Sequence, residues 1–272
     1  MSGAGRHESV AQALLAALDG AHNITRPTLE DAGFALADAF AVGERLRQLR
    51  LARGERPLGY KIGFTNRGIW DRYGVHAPIW GPVWDSTTTL LQGSSHTTSL
   101  AGLNQPRLEP EVVFGFARAP RAGMGLAELA ACLDWVAHGF EIVHTHFEGW
   151  RFAAPDCMAD FALHGRLFVG PRVPVQRFAD LAAETAALSV TLHEGGHALE
   201  TGQATIVLDG PLNALRLWVD AMAEHTPQWP IGPGDLVSTG TITDAWPMQP
   251  GQRWHTTLSD ARLSGLALAT VG

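Results

Sequence analysis

Two glutamates, Glu109 and Glu111, lie two residues apart in RLEPEVVFGF, a stretch that otherwise has the composition of a buried β-strand. Because side chains alternate along a strand, both carboxylates point to the same face, beside Val113. Like charges on an apolar face repel each other and resist removal from water. The pattern therefore indicates either a solvated strand face or a site where a cation lies between the carboxylates.

A third glutamate, Glu141, lies in the apolar, strand-like stretch FEIVHT. A carboxylate in such a strand is costly unless it is paired, protonated or bound to a cation. Three glutamate oxygens suit a hard divalent cation, so the sequence predicts a Mg²⁺ or Mn²⁺ site, with a solvated face as the alternative. Zinc is disfavoured, because strand alternation puts His144 and His146 on the face opposite Glu141. His138 is expected at a helix terminus.

Lys61 lies in GYKIGF, within a stretch (58–64) that is also predicted to be a strand. Its ammonium either extends to the surface or is buried near the metal, where a lowered pKa would suit acid–base catalysis. The stretch GDLVSTGTI (234–242) reads as a strand followed by a Gly/Ser/Thr turn. Backbone N–H groups in such a turn can hold a carboxylate, but the absence of a following GK[ST] excludes a P-loop.

Hydrophobic spacing predicts the elements that position these residues. ESVAQALLAALDG has helical spacing and ends at Gly20, and a second helix is predicted to begin at Thr28, with Asp31 completing a capping box, and to run on to about residue 54. Short strands and turn signals follow from there. We therefore predict a helical N-terminal segment over residues 1–56 and a β-rich catalytic domain over 57–272.

Two further helices are predicted inside the β-rich part. They are GLAELAACLDWVAHG, with Gly139 as its C-terminal cap, and LNALRLWVDAMAEH. The first contains Cys132, which is expected to be a small core residue.

The composition limits the classes of function. The chain has 272 residues, of which 46% are hydrophobic and 17% charged, as in a well-packed globular protein. The net charge of −7, without any basic run, disfavours binding to nucleic acid or to anionic lipid. No signal-peptide core or membrane-spanning run is present in the sequence, so a cytoplasmic location and no membrane partner are predicted.

Five motifs, GYKIGFTN, QPRLEPEVVFGF, FEIV, DGPLNALRLW and GDLVSTGTI, occur in this order. Together they resemble the 2-oxopent-4-enoate hydratase and 4-oxalocrotonate decarboxylase branch of the fumarylacetoacetate hydrolase superfamily. The resemblance implies an α/β (α+β), β-rich fold, a mixed β-roll with a helical N-terminal segment, usually assembled as a homo-oligomer. It also implies that Glu109, Glu111 and Glu141 hold Mg²⁺ or Mn²⁺ and that Lys61 is the catalytic lysine.

The resemblance also implies contacts to a small-molecule substrate, a 2-oxo or 2-hydroxy-dienoic acid. Positions assigned to substrate binding are Thr65, Ile79, Phe161, Leu163, Gly240 and Thr241. Relatives typically carry Asp, Asn and Ser where this chain has Ile79, Phe161 and Leu163, so an apolar distal pocket is predicted. Relatives also typically have an Asp in place of His144.

The reaction predicted first is metal-dependent addition of water to a 2-hydroxy-2,4-dienoate, which gives a 4-hydroxy-2-oxo acid. The alternatives are decarboxylation of a 4-oxalocrotonate-type acid and C–C hydrolysis of an acylpyruvate, with His76 as the candidate that activates water. A non-catalytic relative of the fold is the last alternative. The intact glutamates and Lys61 argue against it.

Overall fold

The computed structural model describes residues 3–75 and 77–272, apart from the side chain of Arg72. The α-helices are α1 (Gly3–Gly20), α2 (Pro27–Glu30), α3 (Leu36–Ala52), α4 (Trp70–Tyr73), α5 (Leu126–Ala130), α6 (Ala154–Ala159), α7 (Leu181–Ala186) and α8 (Pro211–His225). The strands are β1 (Pro57–Gly63), β2 (Ile79–Trp84), β3 (Thr88–Leu90), β4 (Ser95–Ser99), β5 (Arg107–Phe116), β6 (Leu133–Val143), β7 (His164–Val169), β8 (Val173–Pro174), β9 (Ser189–Glu194), β10 (His197–Gln203), β11 (Leu236–Thr241), β12 (Trp246–Pro247), β13 (Arg253–Leu258) and β14 (Ala267–Val271).

The strands form two sheets. The larger has the order β2-β1-β11-β5-β6-β7-β3, with β12 and β8 added to β5 and β6, and the smaller has the order β10-β9-β13-β14-β4. Strand β1 pairs in parallel with β11, which pairs antiparallel with β5, and β5 pairs antiparallel with β6. The strands that carry Lys61, Gly240 and the three glutamates are therefore neighbours. The predicted β-rich α+β class with a helical N-terminal segment is confirmed.

Two apolar cores hold these layers together. One packs α1, α3 and α8 against the large sheet and contains Leu14, Val42, Trp218 and Phe114. The other includes Leu108 of β5 with residues of both sheets. Each fully buried apolar side chain of about this size stabilises the fold by about 1.5–3 kcal/mol. Because α1 and α3 share a core with the strands, the domain division after residue 56 stays a prediction.

The predicted helix from Thr28 is interrupted. Helix α2 ends at Glu30, and the chain is extended at Asp31 before α3 begins at Leu36. The Asp31 carboxylate accepts a hydrogen bond from Gly33 N at 2.8 Å, a local turn that competes with helical hydrogen bonding. The Thr28 hydroxyl donates to Asp156 instead of capping a helix.

The helix predicted over residues 125–139 is wrong after its first turns. Helix α5 ends at Ala130, and β6 begins at Leu133. His138 is therefore buried in a strand instead of ending a helix, and its Nδ1 lies 2.9 Å from Glu111 O. Pairing with β5 along almost the whole of β6 outweighs the local helical spacing. None of the helices in residues 3–75 and 77–272 is long and apolar enough to cross a membrane.

Candidate metal and substrate site

The three glutamates converge at the centre of the large sheet. Glu109 on β5 lies directly opposite Glu141 on β6, and Glu111 is two residues further along β5. Carboxylate oxygens from all three lie within 4.8 Å of one another. Glu111 and Glu141 are fully buried, which does not fit the alternative of a solvated strand face.

Burial and mutual repulsion make the ionised glutamates costly. Burial raises the pKa of Glu109 to about 8; the Lys61 charge opposes the shift and the other two glutamates add to it. Burial and the neighbouring charge of Glu141 likewise raise the pKa of Glu111 to about 8. Burial also raises the pKa of Glu141, against the effect of Lys61. One lysine does not balance three carboxylates, so a divalent cation would stabilise their ionised forms.

The oxygen atoms of the buried glutamates fit such a cation. Glu111 Oε2 accepts hydrogen bonds from the Ser238 hydroxyl and from Gly240 N, the latter at 2.8 Å, whereas the buried Glu111 Oε1 has no hydrogen-bond partner. Glu141 Oε1 lies 2.8 Å from His164 Nδ1, while Oε2 accepts no hydrogen bond and lies 3.2 Å from Lys61 Nζ as an ion pair. Buried polar atoms nearly always have partners, so these oxygens fit a hard divalent cation.

The three histidines considered as zinc ligands, His138, His144 and His146, are not part of the metal-binding group. Within the part of the chain that the structure describes, the glutamate triad is the one group of three or more acidic, His or Cys side chains with metal-binding geometry. The His146 ring contacts Asp160 at 2.5 Å, and the His144 ring packs on His146 at 4.7 Å between centroids. His76 lies outside the described residues.

Lys61 is buried beside the triad. Its Nζ lies 3.2 Å from Glu141 Oε2 as an ion pair and donates a hydrogen bond to Ala162 O at 3.0 Å. Burial acts to lower the pKa of Lys61, but the charges of Glu141 and the other glutamates outweigh it and raise this pKa. The lowered pKa expected from the sequence was for a lysine beside a bound cation, whose charge would oppose the effect of the carboxylates. Lys61 is held as a cation.

An unusual backbone turn presents the carbonyl that Lys61 uses. Phe161, Ala162 and Leu163 have φ values of 54°, 51° and 64°, in the left-handed region that residues other than glycine rarely adopt. Such conformations persist only where the surrounding structure imposes them, and they concentrate at functional sites.

A cavity of about 250 Å³ opens beside Glu109. It is lined by Lys61, Thr65, Ile79, Glu109, Leu163, Gly240 and Thr241, together with Phe64, Ile69, Tyr73, Arg107, Trp150 and Phe152 among others. Phe161 does not line it. The left-handed turn places Phe161 in a separate pocket of about 20 Å³ with Trp80, where its ring lies 5.7 Å from the Arg50 guanidinium.

The Gly/Thr turn holds a carboxylate, and that carboxylate belongs to Glu111. Gly240 has φ +105°, and a Cβ there would lie 2.0 Å from Thr65 Oγ1, so the position requires glycine. The Gly240 N–H donates to Glu111, and the Thr241 hydroxyl donates to Thr243 O at 2.8 Å. Gly240 therefore supports Glu111, and both Gly240 and Thr241 line the cavity.

Arg107 and His164 lie at the site but were not among the site residues predicted from the sequence. The Arg107 guanidinium lies 4.2 Å from the centre of the Trp150 ring at the cavity wall. Its position two residues before Glu109 on β5 was a usable signal, since side chains two apart on a strand share a face. His164 gave no local signal, because β7 meets Glu141 only through sheet pairing.

Comparisons with known proteins place the chain among named relatives. No protein-family model matches the chain. The 2-keto-4-pentenoate hydratase of Paraburkholderia phymatum is 31% identical over 205 residues, 75% of each chain. The 2-hydroxyhexa-2,4-dienoate hydratase of Comamonas testosteroni is 28% identical over 248 residues, 91% of each chain. A 4-oxalocrotonate decarboxylase of Pseudomonas sp. is 29% identical over 232 residues, 85% of this chain and 84% of the relative.

Solved structures share the fold. The 4-oxalocrotonate decarboxylase from Pseudomonas putida G7, complexed with magnesium and adipate, gives a TM-score of 0.90 at 23% identity and covers 98% of both chains. A fumarylpyruvate hydrolase from Pseudomonas aeruginosa, in complex with Mn²⁺ and pyruvate, gives 0.59 at 13% identity over 79% of this chain and 89% of that one. The identity to the Paraburkholderia hydratase and the shared fold lead to one conclusion: the chain belongs to the 2-oxopent-4-enoate hydratase and 4-oxalocrotonate decarboxylase branch of the fumarylacetoacetate hydrolase superfamily.

Proposed function

We propose that the protein is a metal-dependent hydro-lyase, which adds water to a 2-hydroxy-2,4-dienoate and forms a 4-hydroxy-2-oxo acid. The observation that carries the proposal is the Glu109–Glu111–Glu141 cluster, in which Glu111 and Glu141 are buried and Glu111 Oε1 lacks a donor, beside a cavity that Lys61 and Glu109 line. The similarity of the chain to proteins named as hydratases supports this reaction. Homo-oligomeric assembly and a cytoplasmic location remain predictions.

The metal in this proposal is Mg²⁺ or Mn²⁺, held by Glu109, Glu111 and Glu141. When bound, such a cation acts as a Lewis acid that stabilises negative charge on the C2 oxygen of a 2-oxo acid. The protein supplies the support. Ser238 and Gly240 fix one oxygen of Glu111, which leaves the other available to the ion.

Lys61 supplies a positioned proton. Its ammonium is fixed between Glu141 and Ala162 O and borders the cavity, so it can give a proton to a bound dienoate or pair with the substrate carboxylate. Ile79 and Leu163 give the cavity apolar walls.

Decarboxylation of a 4-oxalocrotonate-type diacid is a second candidate, and Arg107 favours it. A guanidinium at the cavity wall can pair with a second substrate carboxylate. The 4-oxalocrotonate decarboxylase relative at 29% identity gives the same reaction further support.

Product identification separates these reactions. The protein is incubated with Mg²⁺ and either 2-hydroxypenta-2,4-dienoate or 4-oxalocrotonate, and the products are followed by NMR and by CO₂ release. We expect water addition to the dienoate and the 4-hydroxy-2-oxo acid as product. Release of CO₂ from the diacid, without water addition to any dienoate, would replace hydration by decarboxylation.

The cavity walls also predict a preference for apolar substrate tails. Ile79, Leu163 and Phe152 offer apolar area, and each buried methylene favours binding by about 0.8 kcal/mol, roughly fourfold. We expect a higher kcat/KM for a methyl- or ethyl-tailed dienoate than for its carboxylate-tailed analogue, because desolvating the second carboxylate is costly.

Arg107→Leu is the matched variant for this comparison. If Arg107 pairs with the tail, the variant lowers kcat/KM for the diacid and leaves the methyl-tailed dienoate nearly unchanged. A wild-type preference for the diacid that disappears in Arg107→Leu would contradict the apolar-tail prediction.

A further inference from the structure

His164 connects Glu141 to a hydrogen-bonded chain. It is buried at the start of β7, with Nδ1 2.8 Å from Glu141 Oε1 and Nε2 2.8 Å from Thr87 Oγ1. We propose that His164 is a positioning residue that fixes the Glu141 carboxylate for metal binding, with Thr87 fixing the histidine tautomer. This inference rests on the metal site of the proposed function.

The direction of the hydrogen bonds follows from the acceptors. A metal-binding Glu141 is ionised and only accepts hydrogen bonds, so His164 Nδ1 carries the proton. Nε2 then has to accept, and the Thr87 hydroxyl, which lies 2.8 Å from Nε2 and 3.3 Å from the alternative acceptor Trp84 O, is its nearer donor. Thr87 Oγ1 in turn accepts from Trp84 N at 3.3 Å. The backbone of β2 thus orients Thr87, Thr87 orients His164, and His164 orients Glu141.

A neutral histidine is suited to this position. A neutral donor orients a carboxylate without neutralising it, whereas another cation beside Lys61 would compete with the metal for Glu141.

The backbone around His164 fixes its placement. The next residue, Gly165, lies so close to β6 that a Cβ there would be 2.7 Å from Ile142 O. The left-handed turn at 161–163 precedes His164 and presents Ala162 O to Lys61. The same short segment therefore holds both groups that contact Glu141, His164 at one oxygen and Lys61 at the other.

The test is Mn²⁺ affinity measured by titration calorimetry. His164→Leu removes the donor, and we expect the Mn²⁺ dissociation constant to rise by about 10–100-fold, as is typical when a group that orients a metal ligand is lost. His164→Asn keeps an N–H donor near the Nδ1 position and should restore most of the affinity. Thr87→Val leaves the histidine tautomer unfixed and should weaken binding by a smaller factor.

Two controls make the result specific. His144→Leu removes another buried histidine, one without a hydrogen bond to the glutamates, and should leave Mn²⁺ affinity unchanged. Circular dichroism and thermal unfolding of each metal-free variant establish that it is folded. If His164→Leu does not fold, the comparison of Thr87→Val with wild type decides, and unchanged affinity in Thr87→Val then overturns the proposal.

Glu111→Gln, titrated with Mn²⁺ in parallel, separates the positioning role of His164 from the metal site itself. If Glu111→Gln loses Mn²⁺ but folded His164→Leu binds it like wild type, the positioning role is overturned and the metal site stands. Equal weakening in His164→Asn and His164→Leu also overturns the role, because the N–H donor then does not matter. Wild-type affinity in Glu111→Gln would overturn the metal site itself.

Discussion

Replacing Glu111 by Gln is expected to abolish turnover and to weaken divalent-metal binding strongly in a protein that still folds. Glu111 offers a buried oxygen without any other partner, and Gln is a neutral ligand of nearly the same shape. The Ser238 and Gly240 donors remain satisfied by the amide oxygen of Gln. The measurements are Mg²⁺ and Mn²⁺ titration and the steady-state rate with a 2-hydroxy-dienoate. Full activity of chelator-treated Glu111→Gln would contradict the metal hypothesis.

In the metal-free protein, Glu111→Gln is expected to raise the free energy of unfolding, although it abolishes turnover in the presence of metal. The pKa of Glu111 is about 8 in the folded state against an ordinary value of 4.5, so the folded state binds more protons between these values. Its burial therefore reduces the free energy of unfolding as pH rises from about 4.5 to about 8, and the full cost applies above that range. We expect metal-free Glu111→Gln to unfold at a higher temperature than metal-free wild type at pH 8, and at a similar temperature near pH 4.5.

Lys61→Met is expected to lower kcat by about 100-fold or more, since positioned proton transfer contributes about 10²–10⁴-fold to a rate. Methionine matches the length of the lysine stem and removes the ammonium that contacts Glu141 and Ala162 O. Metal affinity should be equal or tighter, because a cation that competes for Glu141 is gone. The measurements are kcat, KM and Mn²⁺ titration on the same preparation.

Glu111→Gln and Lys61→Met therefore have different signatures. Loss of both metal and activity is expected for Glu111→Gln, and loss of activity with metal retained is expected for Lys61→Met. A Lys61→Met protein with wild-type kcat would show that Lys61 has only an electrostatic role in balancing the buried glutamates.

Strand alternation explains why much of the site was predictable. Glu109 and Glu111 share a face whatever the sheet does around them, because the period of a strand is two. Glu141 was recognisable because a carboxylate in an apolar strand needs a partner. The class of fold followed from turn signals and from the helical spacing that ends at Gly20.

What the sequence did not predict depends on long-range pairing and on backbone conformation. Residues 133–139 have helical spacing, yet the partner strand β5 makes them a strand. Phe161 was expected at the substrate pocket, but three left-handed residues in succession turn its ring into another pocket. Contacts such as His164 to Glu141 join residues 23 positions apart, and no local pattern encodes them.

Anomalous X-ray diffraction from crystals grown with Mn²⁺ tests whether Glu109, Glu111 and Glu141 hold one divalent cation. We expect a single strong anomalous peak among the three carboxylates, about 2.0–2.3 Å from an oxygen of each, with waters or a 2-oxo acid completing the shell. The peak should be absent in Glu111→Gln crystals under the same conditions. A wild-type map without a peak among the three carboxylates, or with its only ordered Mn²⁺ elsewhere, would contradict the proposed metal site.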